Sequence, residues 1–115
     1  MMDPGIPKRI FPGGASRSMD AETTRYDLIC PVGLRRLAER YAQGAKQHGD
    51  ANWLNGLPAG DTLNHLIRHI ELWRGGDRTD DHLAAAAWGL FALMHFEEKK
   101  PEMIVLPFAD YELAE

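Results

Sequence analysis

Residues 61–74, D-T-L-N-H-L-I-R-H-I-E-L-W-R, and 79–96, T-D-D-H-L-A-A-A-A-W-G-L-F-A-L-M-H-F, decide how this chain folds. Leu63, Leu66, Ile67, Ile70 and Trp73 recur at helical spacing, which predicts an amphipathic helix with those residues on its apolar stripe. Gly75-Gly76 ends it. The second stretch is apolar nearly all round, the pattern of a central, buried helix, and Thr79 with Asp80 and Asp81 supplies its capping turn. Small residues at Ala84–Ala87 and Gly89 allow another backbone to come close, including one from a second copy of the chain. The connector is short, so the two helices form a hairpin.

That hairpin concentrates the chemistry. Asp61, His65 and His69 follow one another at intervals of four, which sets an acid and two imidazoles on one helical face. Asp81 and His82 open the next helix, where a hairpin brings them toward His69. Imidazoles one turn apart suit a divalent metal, and carboxylates complete such donor sets. The glutamate that zinc-protease helices carry after the first histidine is missing, since Leu66 follows His65. The same side chains also fit half-buried helix residues bonded to neighbours, and capping alone accounts for Asp80 and Asp81.

Outward from the hairpin, Pro31 suits the first turn of a helix running to about Gln47. Leu34, Leu37, Ala38, Tyr41 and Ala45 line one face, and Arg35, Arg36, Glu39 and Arg40 lie mostly on the other. Gly49 is its left-handed cap. The loop A-N-W-L-N-G-L-P-A-G at 51–60 carries Trp53, which must pack beneath the loop or line a pocket. Lys46, Asn52 and Trp53 have the chemistry for phosphate contact, base-edge hydrogen bonding and ring stacking. Residues 1–24, with three prolines and Gly13-Gly14, predict an irregular arm held by Ile10 and Phe11, able to bring Arg9 or Arg17 to a ligand. The segment R-Y-D-L-I-C-P at 25–31 predicts an extended piece. After Lys99-Lys100-Pro101, residues 103–106 predict an extended tail.

The bulk properties set limits. With 115 residues, 44% hydrophobic and 26% charged, the chain has the size and composition of one globular domain of 1–115: an arm at 1–24, a helical core at 25–98 and a tail at 99–115. The net charge of −4 gives no general attraction to a nucleic-acid polymer or an anionic membrane. One cysteine, Cys30, excludes an intrachain disulfide and a thiolate metal cluster. The lone cysteine fits a reducing cytosol, residues 1–9 show no hydrophobic segment of the secretory type, and no apolar run approaches the roughly 20 residues needed to span a bilayer. Neither a P-loop, a G-x-G-x-x-G nor a G-x-S-x-G occurs, so the common nucleotide-binding sheet folds and the serine hydrolases are disfavoured.

The order of four blocks, R-Y-D-L-I-C-P, L-A-E-R-Y-A-Q-G-A-K-Q-H-G-D-A-N-W, H-L-I-R-H-I-E-L-W-R-G-G and D-H-L-A-A-A-A-W-G-L-F-A-L, resembles a phage family, the dATP/dGTP diphosphohydrolase N-terminal domain. The likeness spans about residues 9–98. That family looks like an all-α relative of the MazG-type nucleotide pyrophosphohydrolases. The resemblance implies an all-α bundle of three main helices in the cytoplasm of a phage-infected host. It also implies a divalent metal, magnesium or manganese, and a purine nucleotide as the small-molecule partner. The polar and aromatic positions it marks are Arg25, Asp27, Lys46, Gly49, Asn52, Trp53, His65, Arg68, His69, Trp73, Asp81, His82 and Trp88. Taken with the spacing of acids and imidazoles on the hairpin, His69, Asp81 and His82 are expected to be catalytic, and Asp61, His65, His69, Asp81 and His82 to be metal ligands. Arg25, Lys46, Asn52, Trp53 and Arg68 are expected to bind substrate. The chain departs from MazG-type enzymes in lacking E-x-x-E and E-x-x-D pairs on its second and third helices. That departure keeps two other functions in view, a binding protein that sequesters a nucleotide or cyclic-nucleotide signal and a helical interaction domain. A homo-oligomer is expected.

Overall fold

The computed structural model describes residues 8–18 and 23–108. The protein is all-α, with three helices, α1 (Pro31–His48), α2 (Ala59–Arg74) and α3 (His82–Lys99). Short 3-10 turns lie at Tyr26–Leu28, Asn52–Asn55 and Pro101–Met103. The chain divides after Cys30 into two compact units.

In the first unit, the segment predicted to be irregular contains a small antiparallel hairpin, β1 (Lys8–Ile10) and β2 (Ser16–Ser18). Arg9 stands opposite Arg17 in its register. Ile10 is exposed and so does not anchor this unit; Phe11 is half-buried beneath the Arg9 guanidinium, 5.0 Å from the ring centre. Asp27 receives both arms of Arg25, and this pairing holds its carboxyl below the ordinary value. The extended piece predicted at 25–31 tightens into a 3-10 turn over Tyr26–Leu28.

In the second unit α3 is central, as its apolar sequence predicts. It packs extensively against α2 and also against α1. Ala84, Ala85, Ala86, Gly89, Ala92 and Phe96 are buried along it. The two helices come close at Gly89, where a Cβ would lie 3.0 Å from Cβ of Leu66, so α2 of the same chain uses the space left there. This contact sets the rotation of α2. Its buried residues are Ala59, Thr62 and Leu66, while Ile67, Ile70 and Trp73, predicted for the apolar stripe, are 48%, 38% and 39% exposed.

The connector between α2 and α3 has a specific geometry. Gly76 adopts φ +97°, its N–H donates to the Trp73 carbonyl, and the Asp77 N–H donates to the Leu72 carbonyl. These are the two bonds of a Schellman stop, which needs a residue such as glycine at the left-handed position. α3 begins at His82 rather than Thr79, with the Asp81 side chain accepting from the Ala84 N–H. Beyond α3, the predicted extension at 103–106 is preceded by the Pro101–Met103 turn and has no regular structure after it.

Trp53 packs rather than facing an opening. Its ring meets Tyr41, Trp88, His95 and the fully buried Phe96 at centroid distances of 6.5, 6.3, 5.1 and 5.9 Å. Edge-on aromatic pairs of this kind add about 0.5–1.5 kcal/mol beyond area burial. The cluster ties the 51–60 loop to α1 and α3.

Candidate functional site

The Schellman stop delivers Asp77 directly after α2. One oxygen, Oδ1, accepts from the backbone N–H and the hydroxyl of Thr79 and meets Nε2 of His82 at 2.8 Å. These donors hold the Asp77 carboxyl far below the usual carboxylate range, so it is anionic at neutral pH. An anion can only accept, which fixes a proton on Nε2 of His82, so Nδ1 is the nitrogen left to carry a lone pair when that ring is neutral. That Nδ1 lies 2.9 Å from Nδ1 of His69. In the neutral pair the shared hydrogen therefore comes from His69, and Nε2 of His69 becomes the basic end of an Asp77–His82–His69 chain. Burial is the main cause that lowers the His69 pKa, with Arg40 and His82 adding to it.

Beside the two imidazoles stands Asp80. His69, Asp80 and His82 each offer a ligand atom within 4.8 Å of the others, a group of three able to surround a metal ion. Two observations fit this donor set to a cation. His82 gives its other ring N–H to a carboxylate, the arrangement that orients metal-binding histidines. His82 is also 4% exposed, so its ring is held in place. Two imidazoles with one carboxylate suit a first-row transition ion better than magnesium, which favours oxygen donors alone.

Two arginines one turn apart on α1, Arg36 and Arg40, fix the approach to α3. Arg40 pairs with Asp80 at 2.8 Å, and Arg36 grips Asp81 with both arms. Asp81 is held down to about 2 by this guanidinium, with the Ala84 N–H and Arg40 helping. Its carboxylate is thus a helix cap and an ion-pair partner. It is not one of the three converging groups, and Asp80 occupies that position.

From this corner a cleft of about 390 Å³ opens between α1 and α2, floored by α3. His65, His69 and Asp61 line its α2 wall; Arg40, Gln43 and Gln47 line the α1 wall; Trp88 and Gly89 lie beneath. The intervals of four in the sequence therefore do set Asp61, His65 and His69 along one opening. Only His69 reaches the three-residue group, however, because each step of four residues moves about 6 Å along the helix.

The remaining residues singled out in the sequence lie elsewhere. Lys46 and Arg68 are exposed and do not line the cleft. Asn52 is exposed, with its side chain 3.5 Å from Asn55, and Trp53 sits in the aromatic cluster. Arg25 belongs to the first unit and pairs with Asp27. Conversely, Asp77, Arg36, Arg40, Gln43 and Gln47 are at or beside the site without having been singled out for it. Asp77 was detectable as an acid between a Gly-Gly stop and a threonine two residues on. The arginines were hidden because a polar helix face reads as solvent-facing.

No helix among the described residues is long and apolar enough to cross a membrane. Comparison with curated proteins and with solved structures gives no match. A family model does match, over residues 13–104, and spans the cleft, the connector and the whole of α1, α2 and α3. By that match the chain belongs to the family described as dATP/dGTP diphosphohydrolase, N-terminal.

Proposed function

We propose that this protein hydrolyses purine deoxynucleoside triphosphates to the monophosphate and pyrophosphate, with a divalent transition ion at His69, Asp80 and His82. The observation that carries this reading is the 2.9 Å approach of the two imidazoles, with Asp77 behind them and Asp80 beside them, at one end of an open cleft. The family description supplies the substrate class.

A bound ion would neutralise phosphate charge and acidify a water. The chain's own groups do the rest. Asp77 holds the proton on Nε2 of His82, and burial disfavours the charged form of His69, so that each ring can offer a lone pair to an ion. Arg40 is the fixed cation of the cleft and faces the phosphates. His65 lies one turn from His69, outside the group of three, and takes the proton of the attacking water at a ring nitrogen. The water oxygen bonds to the α-phosphorus, the bond from that phosphorus to the α,β-bridging oxygen breaks, and pyrophosphate leaves carrying that oxygen.

One observation favours binding without turnover. Asp80 and Asp81 are both paired with arginines, and Asp61 is the one carboxylate lining the cleft among the described residues. A sequestering protein needs no activated water. Purified protein incubated with dGTP or dATP, with and without manganese or magnesium, separates the two. Pyrophosphate release that depends on the ion and is lost in H69A supports hydrolysis. Intact nucleotide recovered after heating the protein supports sequestration, and neither outcome leaves a protein that only makes helical contacts.

A further inference from the structure

The two ends of the cleft differ in chemistry. Arg40 and His69 mark one end, next to Asp80 and His82. Toward the other end lie Gln47, Leu57 and Asp61, with Gln43 and Trp88 between. Asp61 sits two turns before His69 on α2, about 12 Å along the axis. That is too far for it to join the metal-binding group, and it compares with the reach from a purine's pairing edge to the first phosphates of an extended nucleotide.

Asp61 is exposed and makes no hydrogen bond or ion pair among the described residues. Gln43 and Gln47 stand one turn apart on α1, and both line the opposite wall. Neither amide has a hydrogen-bond partner in the described protein. A carboxylate accepts at two oxygens; an amide both donates and accepts. Guanine offers two adjacent donors, N1–H and the 2-amino group, with the O6 and N7 acceptors beyond them. Adenine offers an acceptor at N1, which a carboxylate repels.

We infer that the Asp61 end of the cleft is a base subsite selective for guanine. The Asp61 carboxylate accepts from N1–H and the 2-amino group, and Gln47 donates to the O6 edge. The inference rests on the reading that the cleft holds a purine nucleotide, and it concerns recognition of the base rather than turnover. The Trp88–Leu57 region supplies apolar surface for the ring.

Nucleosides test it without involving the phosphate end. Deoxyguanosine, deoxyinosine, which lacks the 2-amino group, and deoxyadenosine are titrated into the protein while backbone amide signals are followed by NMR. Deoxyguanosine is expected to bind roughly tenfold or more tightly than deoxyadenosine, with deoxyinosine between, the scale of one bidentate contact. D61N should remove most of that preference, and Q47L should weaken deoxyguanosine while circular dichroism stays unchanged. H69A should keep the preference even if it abolishes turnover, which separates failure of the hydrolase reading from failure of this one. Equal binding of the three nucleosides, an unaltered preference in folded D61N, or no shifts at cleft residues up to the solubility limit overturns the inference.

Discussion

Nδ1 of His69 and Nδ1 of His82 face one another at 2.9 Å across the α2–α3 hairpin, although thirteen positions separate them in the chain. Two rings in that relation can share a proton or a cation, but they cannot both be imidazolium without like charges in contact. The fold therefore disfavours double protonation of the pair, consistent with the lowered pKa of His69.

A pH dependence follows, with its sign fixed. A histidine whose folded pKa lies below the unfolded value of about 6.5 takes up its proton more readily when unfolded. Stability should be level above that value and decline as the pH falls through it toward the folded pKa. Asp77, Asp80 and Asp81 have lowered pKa values, so their contribution is present above about 3.9 and is lost at still lower pH. Urea unfolding between pH 8 and pH 5 checks the histidine part. The slope should flatten in H69N, and an unchanged slope in that variant would assign the effect to another group.

Asp77 is expected to act through His82. D77N retains a side-chain oxygen for the Thr79 donors but removes the anion that fixes the His82 tautomer. Loss of such a carboxylate behind a metal-binding histidine typically costs 10–100-fold in affinity. Manganese titration by calorimetry should show a drop of that size while the thermal transition moves by only a few degrees. Equal affinity in D77N and the native protein would show that His82 does not hold the ion.

The three helices, the central position of α3 and the meeting of His69 with His82 were legible in the sequence. Periodicity reports which face is apolar, and a short Gly-Gly connector forces neighbours in sequence to be neighbours in space. The division of labour between Asp80 and Asp81 was not legible. Both read as first-turn acids, and only the positions of Arg36 and Arg40 on another helix decide which one caps and which one stands beside the imidazoles. Trp53 and Asn52 followed a pattern suited to a base, but the ring found a larger apolar partner in the Tyr41–Trp88–Phe96 cluster. The rotation of α2 was also hidden, since Ile67 and Ile70 are as apolar as Leu66. The missing Cβ of Gly89 selects Leu66 for the close contact.

The adjacent acids can be separated by mutation. Asparagine caps a helix about as well as aspartate, so D81N should keep the bond to the Ala84 N–H and lose only the charge facing Arg36. Its stability should fall modestly and its manganese affinity should hold. D81A should cost more, about 1 kcal/mol for the cap alone. D80N should reverse the pattern, with a small stability change and a clear loss of manganese binding. Calorimetry and urea unfolding on the three variants decide it. If D81N loses the ion and D80N does not, the ligand set is Asp81 with the two histidines.

Gly89 tests the packing that holds the cleft floor. Alanine is the better helix former by about 1 kcal/mol, so an open site would be stabilised by G89A. Here the new Cβ would meet Cβ of Leu66 at 3.0 Å and its Cδ2 at 3.1 Å, and the first of these is stiff because it is attached to the backbone. Overpacking of this kind costs about 1–3 kcal/mol, so the net effect should be destabilising by up to about 2 kcal/mol. Leu66→Ala keeps Cβ but removes Cδ2, so the double variant G89A/L66A should lose less than the sum of the two single changes. Urea unfolding of all four proteins gives the coupling directly. Strict additivity would mean that α2 moves away from α3 at no cost, and the close contact at Gly89 would then not be what sets the rotation of α2.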